Sequence, residues 1–176
     1  VRNVAPSKGL NVGVCHPFET LRVYDYSHPM EGPRAVSLVG ARNGWFSGRV
    51  VVSSRESIRG LRARASALVQ AGGEGRIPAE AVQVRYAEPC DPRLGWRRWP
   101  LFDRLLAEVP EEIPARPMTI RGRKLLPVPT ALVPVWVTVH VPDDAAPGDY
   151  RGTLTIDAEG APSIEIPVRL KVHDFR

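Results

Sequence analysis

Apolar and polar positions alternate strictly from Pro134 to Val172, the period of a strand buried on one face. Val135, Val137, Val139 and Val141 point one way, and Trp136, Thr138 and His140 the other. After a turn, Tyr150, Gly152, Leu154 and Ile156 share one face, with Arg151, Thr153, Thr155 and Asp157 opposite. After a second turn, Ile164, Ile166, Val168, Leu170 and Val172 line one face and Glu165, Arg169, Lys171 and His173 the other. This pattern predicts three successive strands in one antiparallel sheet that covers a core on one side.

The same period recurs upstream. Leu10–Val14 is a short apolar strand, ended by His16-Pro17, and Thr20–Tyr26 alternates into a second. Ala35–Val39 and Trp45–Ser53 flank Asn43-Gly44, a strong hairpin signal between strands. Leu61, Ala63, Ala65 and Ala67 alternate with Arg62, Arg64 and Ser66. A helix competes there, because Ala, Leu and Arg favour helices, but the alternation favours a strand. Gln70–Pro78 is a Gly-rich loop, and Ala81–Ala87 alternates again with Val82, Val84 and Tyr86 on one face. From Glu88 to Val133 the pattern dissolves among eight prolines and predicts a long irregular connection over the sheets. Inside it, Phe102, Leu105, Leu106 and Val109 have the spacing of two helical turns. Short strands joined by turns, with at most one short helix, predict an all-β fold: an antiparallel β-sandwich of immunoglobulin-like or jelly-roll-like kind. The outer faces are expected to carry arginines and threonines.

Composition narrows the chemistry. The chain has 176 residues and a formal charge of +5, with enough length to bury a core without disulfides or metals. The arginines are interleaved with acids and form no run or stripe, so nucleic acid is not an expected partner. No apolar run approaches the roughly 18 residues of a membrane span. Cys15 and Cys90 permit one disulfide without implying it. None of His16, His28, His140 and His173 has the spacing of a helical metal pair. Asp143-Asp144 and Glu111-Glu112 are the carboxylate pairs, and both read as solvated turn residues. Gly72-Gly73-Glu74-Gly75 lacks the Lys-Ser/Thr of a phosphate loop. No catalytic, cofactor-binding or metal-ligating residue is assigned, and no cofactor is expected. Trp96, Arg97 and Trp99 in the irregular segment are the candidates for a glycan or interdomain contact, since aromatics beside arginine stack on sugars and grip partner surfaces. The plainer alternative is that these rings plug one end of the sandwich.

Several segments together resemble the N-terminal β-sandwich of glycoside hydrolase family 123-like proteins. They are Gly40–Val52 (GARNGWFSGRVVV), Ile58-Arg59-Gly60-Leu61, Ile77–Tyr86, and Phe102–Leu106 followed by Pro110 and Ile113-Pro114. Pro134–Val139 and Pro147–Leu154 complete the order. In that family a (β/α) barrel follows and carries catalysis with an adjacent Asp-Glu pair, assisted by the substrate's acetamido group. This chain contains no Asp-Glu dipeptide in that order, so no catalytic residue is carried over.

The resemblance implies that residues 1–176 are one accessory sandwich of a longer chain, with a C-terminal catalytic barrel as its partner. It also implies a secreted or periplasmic bacterial parent that acts on glycans. The expected role is non-catalytic packing on the barrel; the alternative is an independent carbohydrate-binding module. Hydrolase activity within the sandwich is a third hypothesis, for which the sequence offers no convergent carboxylates.

Overall fold

A computed structural model describes residues 9–21, 34–89, 101–117, 119–120, 123–124 and 129–175. Two sheets face each other. The first has the order β1 (Asn11–Cys15), β3 (Trp45–Ser54), β13 (Ala131–His140), β8 (Val82–Pro89) and β9 (Phe102–Leu106), with all neighbours antiparallel. The second runs β2 (Val36–Ala41), β15 (Ile164–His173), β14 (Gly148–Asp157), β6 (Leu68–Gln70) and β7 (Arg76–Ile77). There β5 (Arg62–Ala65) also pairs with β14, and β2 lies parallel to β15. Two small ribbons remain, β4 (Ile58–Arg59) with β10 (Glu112–Ile113) and β11 (Thr119–Ile120) with β12 (Arg123–Lys124). The described helix is one 3-10 turn, Ala79–Ala81.

Alternation places the side chains as the sequence predicts. Val135, Val137, Val139 and Val141 are fully buried, as are Leu154, Ile156 and Ile166. Each such side chain contributes roughly 1.5–3 kcal/mol by leaving water. The sheets approach closely at Gly48, where an added Cβ would overlap Cγ1 of Val36 on the opposite sheet. The strand expected at Leu10–Val14 is β1, and the one over Leu61–Ala67 is β5. Of the strand expected at Thr20–Tyr26, only Thr20 and Leu21 are described, and neither is in a strand.

Four expectations need correction. The three C-terminal strands do not share one sheet: β13 belongs to the first, β14 and β15 to the second. Period-two alternation specifies a buried face, and that face looks the same from either side of a sandwich. Pro142 and Pro147 lack N–H donors and bracket the crossing, with buried Ala145 donating its N–H to the Pro142 carbonyl at 3.2 Å. The Asn43-Gly44 turn is likewise not a hairpin but a corner between sheets; Asn43 has φ 57.

Phe102–Leu106 is strand β9, not a helix. Pairing with the edge of β8 satisfies its backbone groups, and Arg104 faces Glu88 as an ion pair. The register shifts at Glu88/Pro89, where proline cannot extend the ladder. Finally, the Glu88–Val133 connection is not irregular throughout, because β9 to β12 and an Arg116↔Thr130 bridge lie within it.

Candidate functional site

One end of the sandwich gathers exposed aromatic and charged groups. The parallel pair β2–β15 finishes there at Ala41↔His173. Just beyond, the Arg42 N–H donates to the Phe175 carbonyl at 3.1 Å, and Arg42 Nη2 donates to Asp174 Oδ1 at 2.8 Å. The corner is tied to the first sheet by Asn43 N–H to the Val141 carbonyl and Val141 N–H to the Gly44 carbonyl, both 2.9 Å. Register then sets Trp45 opposite His140, with ring centroids 4.5 Å apart and planes 27° apart. His173 stacks on Phe175 in a similar way, at 5.6 Å and 23°. Trp45 remains 56% exposed and Phe175 60%, so both rings face outward from their stacks. Nε of Arg42 is shielded from solvent and has no acceptor among the described residues.

The outer face of the first sheet continues from this end. Ser47, Thr138 and Gln83 form a polar cross-strand row, with Ser47 Oγ and Thr138 Oγ1 2.8 Å apart. The next row is Arg49, Trp136 and Arg85. Arg49 departs from the expected solvated arginine, being 6% exposed. Its Nε donates to Cys15 Sγ at 3.1 Å, and its Nη2 donates to the carbonyls of His16 (2.8 Å) and Glu19 (2.6 Å). Its guanidinium also lies 5.4 Å from the Trp136 ring centroid. The segment so held covers a small second cluster of Leu21, Val51 and Leu132, with Cys15 and Phe102 against it.

Trp96, Arg97 and Trp99 lie outside the described residues, as do Cys90 and His28. The carboxylates read as turn formers are in the described part. Asp143 and Asp144 are exposed in the turn between β13 and β14. Glu112, expected in a turn, instead opens strand β10 opposite Arg59 and is held below its ordinary value, first by the Ser57 hydroxyl and then by Arg59. Asp157 is lowered likewise, by the Ser163 hydroxyl and then by Arg64. Among the described residues no group of three or more His, Cys, Asp or Glu is placed to hold a metal ion. No helix there is long and apolar enough to cross a membrane.

This end thus carries two separate stacks, Trp45–His140 on the outer face of the first sheet and His173–Phe175 at the end of the second. Trp45, His140 and His173 lie in alternating strands; the outward positions of His140 and His173 were legible, but nothing in the spacing paired Trp45 with His140.

Among solved structures, the chain is similar to a family 123 glycoside hydrolase from Clostridium perfringens, which acts in glycolipid glycan hydrolysis: TM-score 0.67, 12% identity, covering 95% of this chain and 28% of that one. The chain thus spans little more than a quarter of that protein. Weaker likenesses are the PapD-like domain 7 of human CEP192 (TM-score 0.38, 11% identity, 89% of this chain and 99% of that one) and the adhesive subunit CfaE of the Escherichia coli CFA/I fimbria (TM-score 0.42, 14% identity, 84% and 48%). No curated protein sequence matches. The family described as "Glycoside hydrolase 123 N-terminal domain" matches residues 33–158, and the chain belongs to that family.

Proposed function

We propose that this sandwich is a non-catalytic accessory domain that packs on, and steadies, the catalytic barrel of a glycoside-hydrolase-like chain. The observation that carries this reading is the sandwich end where β15 finishes. Exposed Phe175 is tied there to Arg42, whose shielded Nε has no acceptor among the described residues, and exposed Trp45 stands at the same end on the first sheet. Aromatic rings and arginine are the residue types that anchor buried contacts. The Arg42–Phe175 and Arg42–Asp174 bonds fix the end of β15 against the corner, so a following domain would start from a set direction. Family membership supports a catalytic domain in the same chain, and glycan work by that chain supports an extracellular or periplasmic location.

Trp45→Ser with Phe175→Ser in the full parent chain tests this. The parent's melting temperature is expected to fall by several degrees while the 176-residue domain alone melts as before. A parent equally stable and active with both changes removes this end from the interface.

A second reading, glycan binding by the domain itself, has its own support on the outer face of the first sheet. Trp136 lies between Arg49 and Arg85, next to the Ser47–Thr138–Gln83 row of hydroxyls and amide. Trp136→Ala should then abolish binding of N-acetylhexosamine oligosaccharides in calorimetry. An unbound wild-type domain ends this reading.

A further inference from the structure

The outer face of the second sheet carries a row of arginines that the sandwich itself does not use. Register aligns Ser37 of β2, Arg169 of β15, Arg151 of β14, Val69 of β6 and Arg76 of β7 in one line across the strands. All five side chains are exposed. With strands about 4.8 Å apart, Arg169 and Arg76 stand about 14 Å from each other with Arg151 between them. Arg151 and Arg169 are direct antiparallel partners, and like charges in that relation are destabilising. Among the described residues no acidic group pairs with Arg76, Arg151 or Arg169, whereas exposed Arg59, Arg64 and Arg104 elsewhere each hold a carboxylate. The next row adds Lys171 opposite Asp149, and Val39 beside Lys171 is 62% exposed.

We infer that this row binds a linear anionic polysaccharide, sulfated or carboxylated, laid across the strands. Three guanidinia on a flat face match anionic groups repeated along an extended chain, and each can take two acceptor oxygens in its planar fork. No aromatic side chain lies in the row to stack on bases, and among the described residues no element rises from this sheet to enter a nucleic-acid groove. The row is distinct from the β15 end and from the Trp136 face, so this inference does not depend on either reading above.

Heparin is the probe, used with the 176-residue chain. The triple variant Arg76→Ser/Arg151→Ser/Arg169→Ser should elute from heparin resin at clearly lower salt than wild type. Its Kd for a heparin dodecasaccharide should rise at least tenfold, and its log–log salt slope should fall by about two to three. The control Arg59→Ser/Arg64→Ser/Arg104→Ser loses the same charge and should elute with wild type. Arg151→Glu alone places a carboxylate opposite Arg169; it should weaken heparin binding while raising the melting temperature, which a damaged fold would not do. Equal loss in the control variant overturns the inference in favour of net charge. Equal, row-dependent retention of duplex DNA or of phosphatidylserine vesicles overturns the assignment to polysaccharide.

Discussion

Arg49 is the residue whose role was least visible in the sequence. It sits in a strand rich in valine and reads as one more solvated arginine, yet two backbone carbonyls, a sulfur and a tryptophan face surround its guanidinium. Its position is explained by residues 16–21, which follow edge strand β1 and whose His16 and Glu19 carbonyls accept from the guanidinium. Arg49→Met keeps the apolar stem but removes the guanidinium's bonds to both carbonyls and to Cys15 Sγ, and should cost on the order of 2–4 kcal/mol in urea unfolding. Arg49→Lys should recover only part of it, since an ammonium lacks the planar fork. Full stability in the methionine variant would show that the segment is held by packing alone.

Two tyrosines give the molecule a pH dependence at the same scale. Burial raises the phenol of Tyr86 above its ordinary value, outweighing the Ala63 N–H it accepts at 2.9 Å. Burial also raises Tyr150, whose hydroxyl donates to the Ala146 carbonyl at 2.7 Å. The unfolded chain therefore gives up these protons first as pH rises. Their contribution is fully present below about pH 10 and is lost as pH climbs through the raised folded values. Tyr86→Phe/Tyr150→Phe should flatten the alkaline limb of a stability–pH curve, measured by denaturant midpoints from pH 8 to 11.

At the level of elements, the buried face of each long strand was legible and its sheet was not. The valines of β13 and the leucines and isoleucines of β14 and β15 carry the same alternation, and only the Pro142–Pro147 crossing separates them into opposite sheets. Phe102–Leu106 shows the reverse difficulty. Its apolar residues have helical spacing, but the unpaired edge of β8 offers a ladder that a helix could not use, and tertiary pairing prevailed. The aromatic end was illegible for a related reason. Trp45 and His140 are 95 positions apart in the chain, and antiparallel register alone makes them neighbours. Gly48 tests the close approach of the sheets: Gly48→Val should destabilise by overpacking against Val36, by about 1–3 kcal/mol, and Val36→Ala should relieve much of that cost.

For the whole molecule, the described strands change sheet five times, between β1 and β2, at Asn43, between β3 and β5, between β7 and β8, and at residues 141–147, so neither sheet is made of one continuous stretch. The two should therefore unfold together. Tryptophan fluorescence, which includes Trp45 and Trp136 on the first sheet, and far-ultraviolet circular dichroism should give one coincident transition in urea. Separate midpoints would mean that the second sheet survives alone.

The parallel pairing of β2 with β15 also bears on how the domain is made. β15 sits inside the second sheet, between β2 and β14, yet follows every other described strand in chain order. While the ribosome is still adding residues before Ile164, β2 and β14 each present a bare edge with no neighbour to close it. The nascent sandwich is most open to mispairing in that interval, and the emergence of β15 from the exit tunnel seals both edges at once.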